Sequence, residues 1–384
     1  MEFTFSTVAM IVAASQSFLL LLLIVQKYRS LYANRFLALL LLCYTLILVH
    51  LVLQDSGAYT YAPALFVLVG CPLLAMPLHY LYTKYLIDRR TRFDRKDWVH
   101  GLPFAAFELA LVFGILFSMI DLKRTVTSQP ASPTPILRVF NWFIIAEGLF
   151  YLGTSYRRLS RYQSAIKDVL SSIEQVQLQW LRNITVVGLT AVSLFFIEDL
   201  LMMRGINLSN FIFTSVFLAA YVFGMGYVGF LKSEIFSSPA AAGAMEELKG
   251  IDEGEISEGR KYERSGLSDE DARRHLEALL ALMEEKKPYL ESALTLSQLA
   301  ALLSISPHNL SEVINTREKK SFYDFVNGYR VDRVKIDLID PAKRHMKILS
   351  LGFDAGFNSK AAFNTVFKQH TGMTPSDFRR KNSK

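Results

Sequence analysis

Two patterns divide this chain. Up to about residue 231, apolar residues come in long runs separated by short polar breaks. Beyond that point apolar residues thin out to helical spacing and charge rises. A helix needs about 20 apolar residues to cross a ~30 Å hydrocarbon core. Seven stretches meet that need: residues 5–25, 36–53, 63–87, 98–120, 136–159, 180–203 and 208–231. The first begins Met1-Glu2 with no basic residues ahead of it and no clear small-residue cleavage site, so it reads as a retained span. In the last, Ala220, Gly224, Gly226 and Gly229 let helix backbones approach closely.

The polar stretch 232–267 reads as a flexible acidic linker. It carries Pro239, recurrent glycines and little apolar content. Helical spacing resumes after Ser268, an N-cap candidate with Asp271 three residues on. Leu276, Leu279, Leu280 and Met283 then form a stripe that either packs on the domain behind it or pairs two protomers. From residue 294 the pattern predicts two helix-turn-helix units on one joining helix. The first, about 294–316, has a helix from Leu296 to Leu303, a turn at Ser304-Ile305 and a second helix capped by Ser306 with Pro307 at its first position. Ser321 caps the joining helix, 322–339, and Asp340-Pro341 ends it. The second unit, about 342–371, has its turn at Gly356, its cap at Ser359 or Asn358, a core face of Phe363, Val366 and Phe367, and a stop at Gly372. The fold class is therefore all-α: a seven-helix transmembrane bundle (1–231), a linker (232–267) and a double helix-turn-helix domain (268–384).

Several of these positions fall into one ordered signature. Gly356-Phe357, Asn358-Ser359, Phe363, Phe367-Lys368, Gly372, Thr374-Pro375 and Phe378-Arg379 resemble the AraC/XylS family of transcription regulators. Leu296, Leu299-Ala300, Ser306-Pro307, Leu310-Ser311 and Tyr329-Arg330-Val331 are similar to the first half of the same domain. Gly352 and Val334 stand where the family usually has Ala. The apolar half is similar in architecture to membrane-anchored bacterial members. The resemblance implies promoter DNA and RNA polymerase as partners, and His308, Ser311, Glu312, Lys360, Ala361 and Thr365 at base-reading positions. Helical geometry adds Asn309, Asn315, Asn364 and Lys368 to the outward faces, and Lys319, Lys320 and Lys368 as phosphate contacts.

Charge sharpens this picture. From Leu294 onward fifteen basic residues face eight acidic ones, an excess suited to a polyanion. In the apolar half, the loops after spans one, three and five hold twelve basic residues and the other loops three. By the positive-inside rule this puts the N-terminus outside and the C-terminal domain in the cytoplasm, across a bacterial inner membrane. Glu108, Glu147, Glu198, Asp199 and His50 fall within spans, where an ionisable side chain suggests function. They are either a ligand pocket open to the outer half of the bundle or singly satisfied by neighbouring helices. His79 lies on the inner half of span three. The two cysteines, Cys43 and Cys71, offer no disulfide framework or metal spacing. No nucleophile–base set, phosphate-binding loop or metal motif is present, so no enzyme, cofactor or metal is expected. The expected function is a one-component membrane regulator that senses a small molecule or membrane state. The lipid bilayer and promoter DNA are its partners, and a homodimer is one arrangement it admits. A transporter that reports its occupancy is the alternative, and the linker is a natural site for proteolytic release.

Overall fold

The computed structural model describes residues 5–27, 31–57, 63–117, 135–174, 176–206, 212–233 and 267–382. Every named element among them is a helix. The chain divides into two compact units: Met1–Arg161 with Leu178–Ser237, and Tyr162–Gln177 with Ser238–Lys384. The acidic linker lies almost wholly outside the described residues.

The first unit contains α1 (Phe5–Lys27), α2 (Ala33–Asp55), α3 (Pro72–Asp88), α4 (Leu102–Leu116), the first part of α5 (Pro135–Val169), α6 (Gln179–Met203) and α7 (Ile212–Ser233). α1 packs on α2 and α7, α2 on α3, and α6 on α7. Glycines permit the close crossings. A Cβ at Gly226 would lie 2.7 Å from Leu20 Cδ1, and one at Gly229 would lie 2.9 Å from Leu37 Cδ2. By length and composition, four helical segments among the described residues can cross a membrane: Thr7–Gln26, Ala33–Gln54, Arg95–Leu116 and Gln179–Met203. A fifth is added if Ala64–Gly70 and Pro72–Asp88, bent by 45°, form one span. The expected count of seven is thus matched only in part among the described residues. The break falls just before Pro72, which has no backbone N–H to donate to the preceding turn. The outward faces are nevertheless strongly apolar. Phe18, Leu19 and Leu22 on α1, and Leu109, Phe113 and Leu116 on α4, are all exposed.

The second unit holds α8 (Asp269–Glu285), α9 (Leu296–Leu303), α10 (Pro307–Val313), α11 (Phe322–Ile339), α12 (Ile348–Asp354), α13 (Lys360–Thr371) and α14 (Pro375–Asn382). Polar caps set most of the starts. The side chains of Ser268, Thr295, Ser306, Ser321 and Ser359 accept from backbone amides three residues on, and Thr295 forms a full capping box with Gln298. Each such cap is worth about 1 kcal/mol. Ser359, not Asn358, is the cap of α13. The turns need left-handed backbone: Ser304 has φ 58° and Gly356 φ 96°. Glycine is required at 356, because a Cβ there would collide with the carbonyl oxygen of Tyr289.

The α8 stripe turns inward. Leu279 and Met283 are fully buried among Leu296, Leu299, Ala300, Leu310, Ile314, Phe322 and Val326, with Leu280 packed alongside. Of the two roles open to α8, packing on its own domain is the one the structure shows. α10 continues into a π turn at Ile314–Glu318, ended by Lys319 at φ 56°. A second core gathers Leu351, Phe357, Phe363, Val366 and Phe367.

Candidate nucleic-acid interface

α10 and α13 each bury one face and leave the other open. On α13, Ala362, Phe363, Val366 and Phe367 are buried, and Lys360, Ala361, Asn364, Thr365 and Lys368 are exposed. On α10, Leu310 and Val313 are buried. His308 and Asn315 are exposed, and Asn309, Ser311 and Glu312 are half-buried. Four of these already interact in two pairs: Asn315 donates to Ser311 Oγ at 3.3 Å, and His308 Nε2 stands 4.0 Å from a Glu312 carboxylate oxygen. Lys319 and Lys320 follow at the end of the π turn, both exposed. Lys320 is paired with Glu318 at 3.3 Å. Lys319, Lys360 and Lys368 have no ion-pair partner among the described residues.

The basic excess is smaller at the surface than in the sequence. Arg330, one of the fifteen basic residues from Leu294 onward, is 1% exposed. Its guanidinium donates to Tyr289 O at 2.8 Å, Glu291 O at 2.7 Å, Asn327 Oδ1 at 3.1 Å, and both Ser171 O and Ser171 Oγ at 3.0 and 3.1 Å. Burial lowers its pKa to about 10, so it stays charged near neutral pH. Its role is structural, because a buried cation must spend its donors on internal acceptors. Arg333 and Lys343 are engaged by the buried Asp337 at 3.0 and 2.6 Å. Arg379 donates to Met346 O at 2.9 Å. Sequence counting could not separate these from free cations. Only the position of Arg330 on the same helical face as Val326 and Val334 hints at burial.

The candidates in the apolar half fall into distinct environments. Asp199 is buried and accepts from Trp142 Nε1 at 2.8 Å and Asn141 Nδ2 at 3.4 Å, so it is satisfied by a neighbouring helix. Glu198 is also buried, and His50 has the Phe66 ring 6.3 Å from its own. Glu108 lies against Gly70, and Glu147 is buried. The carboxylate oxygens of both have no hydrogen-bond partner among the described residues. Among those residues no cluster of His, Cys, Asp or Glu could hold a metal ion. One polar cluster has no signature in the sequence. His79 is buried between Thr185 Oγ1 at 3.1 Å and Tyr221 OH at 2.8 Å. A Cβ at Gly188 would stand 2.8 Å from that Tyr221 ring. A threonine and a tyrosine inside apolar runs give no signal until the helices are packed.

No solved structure matches the chain. Residues 299–381 match a family model described as a helix-turn-helix domain, of the AraC type. The match spans α9 to α14, and it supports an AraC-family DNA-binding domain and a role in transcription regulation.

Proposed function

We propose that this chain is a membrane-embedded one-component transcription regulator. The apolar half senses a ligand or membrane state, and α10 and α13 read promoter DNA in successive major grooves. The observation that carries the reading is the joining of two incompatible surfaces in one chain. Exposed apolar side chains such as Phe18, Leu19, Leu109 and Phe113 suit lipid, and residues 299–381 carry a DNA-binding match. The loop charges orient the bundle with the N-terminus outside and the reader in the cytoplasm. A seven-span count fits this orientation, since an odd number of crossings separates the two ends. Glu108 and Glu147 are the best places for a ligand with hydrogen-bond donors, because their carboxylates have no described partner.

Base reading is assigned to His308, Ser311, Glu312, Lys360, Ala361, Asn364 and Thr365, and phosphate contact to Lys319, Lys320 and Lys368. The test is selection from a random duplex pool with the full chain in lipid nanodiscs, together with fractionation of cells expressing it. Enrichment of a site with two boxes about 10–10.5 bp apart, and retention in membranes after an alkaline wash, are expected. No enrichment, or recovery in the wash, overturns the reading.

A further inference from the structure

The stretch 162–177, the last turns of α5 and the connection toward α6, does not behave as a loop. In it Ile166, Val169, Leu170, Ile173 and Val176 are all at least nine-tenths buried, and Tyr162 OH closes it by donating to Val176 O at 2.8 Å. It belongs to the same compact unit as the reader, and it touches three parts of it. At the start of the first helix-turn-helix, Leu170 forms an antiparallel bridge with Thr295. Ser171 donates to Leu294 O from its amide at 3.2 Å and from its hydroxyl at 2.7 Å. On the joining helix, Asn327 and Arg330 donate to Ser171 O at 3.1 and 3.0 Å, and Lys167 stands 5.9 Å from the Tyr323 ring. At the turn of the second helix-turn-helix, the Asn358 amide donates to Ser172 Oγ, next to Ser359, the cap of α13. Arg330 also binds Tyr289 and Glu291, and a Cβ at Gly356 would lie 3.0 Å from its Nε.

We propose that residues 162–177 are an internal brace that sets the geometry between the two recognition helices and carries the state of the membrane half to the DNA reader. This rests on the regulator reading. The segment continues from the part of α5 that belongs to the first unit and leads into α6, which belongs to that unit entirely. A change in those helices therefore reaches Ser171 along the covalent chain, independently of the linker. The docked segment is the DNA-binding state. Undocking it frees Arg330 and Asn327 of their shared acceptor and loosens the turn at Asn358, so that α10 and α13 no longer hold one spacing.

The test uses the full chain in lipid nanodiscs and a DNA fragment selected with the wild type. The double variant Ser171→Ala/Asn327→Ala removes the hydroxyl and amide contacts and keeps Arg330. Amides 170–174 are expected to exchange faster. Preference for the selected site over one with a single base pair inserted between the boxes should fall about five-fold, near the loss of one net hydrogen bond. Faster exchange with unchanged preference overturns the proposal. If this variant also loses protection throughout α11 and α13, a second one decides. Ser172→Cys/Asn358→Cys, bridged by a short bifunctional thiol reagent, is expected to keep wild-type affinity and spacing preference. Loss of binding on bridging overturns the proposal, because docking would then oppose DNA. A wild-type chain that enriches no fragment overturns the regulator reading and this proposal together. A wild type that binds, with variants that do not differ from it, overturns this proposal alone.

Discussion

Individual side chains of the reader divide by what already holds them. A lysine with no partner can give its charge to a phosphate, whereas one paired to a carboxylate must first lose that pair. Lys319 and Lys320 are neighbours in sequence but differ in this way, since only Lys320 is held, by Glu318. Lys319→Ala is therefore expected to weaken binding to every sequence and to reduce the salt slope by about 1, with Lys320→Ala doing less. Lys360→Ala and Thr365→Ala should instead change which sequences are preferred, as both stand exposed on α13 near its N-terminal end. Salt titrations of binding to the selected site and to a scrambled duplex separate the two effects. A change in preference from Lys319→Ala and a uniform loss from Thr365→Ala would mean that α13 is turned the wrong way.

At the scale of elements, helices with caps are legible in the sequence and the brace is not. Ser306-Pro307, Ser321 and Ser359 each mark a start that the backbone obeys, because a side-chain acceptor fixes where the first free amides lie. The joining helix ends where Pro341 demands it. The segment after span five reads as a loop because Arg157, Arg158 and Arg161 look like the end of a membrane crossing. Yet Ile166, Val169, Leu170 and Ile173 keep the i, i+3, i+4, i+7 spacing past those charges, and this is the signal the sequence offers. Even so, no sequence pattern says which surface such a stripe meets. The brace also places Asp168 near Asp324, and burial with that like charge raises the Asp168 pKa although Lys167 opposes it. The folded state thus holds this proton to higher pH than the unfolded chain does. Its contribution to stability is present at low pH and is lost as pH rises through the folded value. Asp168→Asn is expected to raise the thermal midpoint of the full chain at pH about 7, with the gain shrinking toward pH about 4. A gain that grew on acidification would contradict the burial of this carboxyl.

For the whole molecule, a route through the linker and the proposed route through the brace make different demands. If the linker were the sole connection, cutting it would free residues 268–384 at once. The brace adds contacts that survive such a cut: the Leu170–Thr295 bridge and the bonds that converge on Ser171. None of them depends on the linker, because the brace precedes it in sequence and the reader comes after it. A protease site placed near Gly250 tests this, since the surrounding acidic, glycine-rich stretch is built to tolerate insertion. After cleavage in isolated membranes, the C-terminal fragment is expected to sediment with the membrane and to keep its DNA affinity. The same cut in the Ser171→Ala/Asn327→Ala chain should release more of it, because fewer directional bonds then hold the fragment. Immediate release of the wild-type fragment would return the signal to the linker and make proteolysis a workable way to free the regulator. Retention would make cleavage a poor switch, and the membrane half would control the reader while still attached to it.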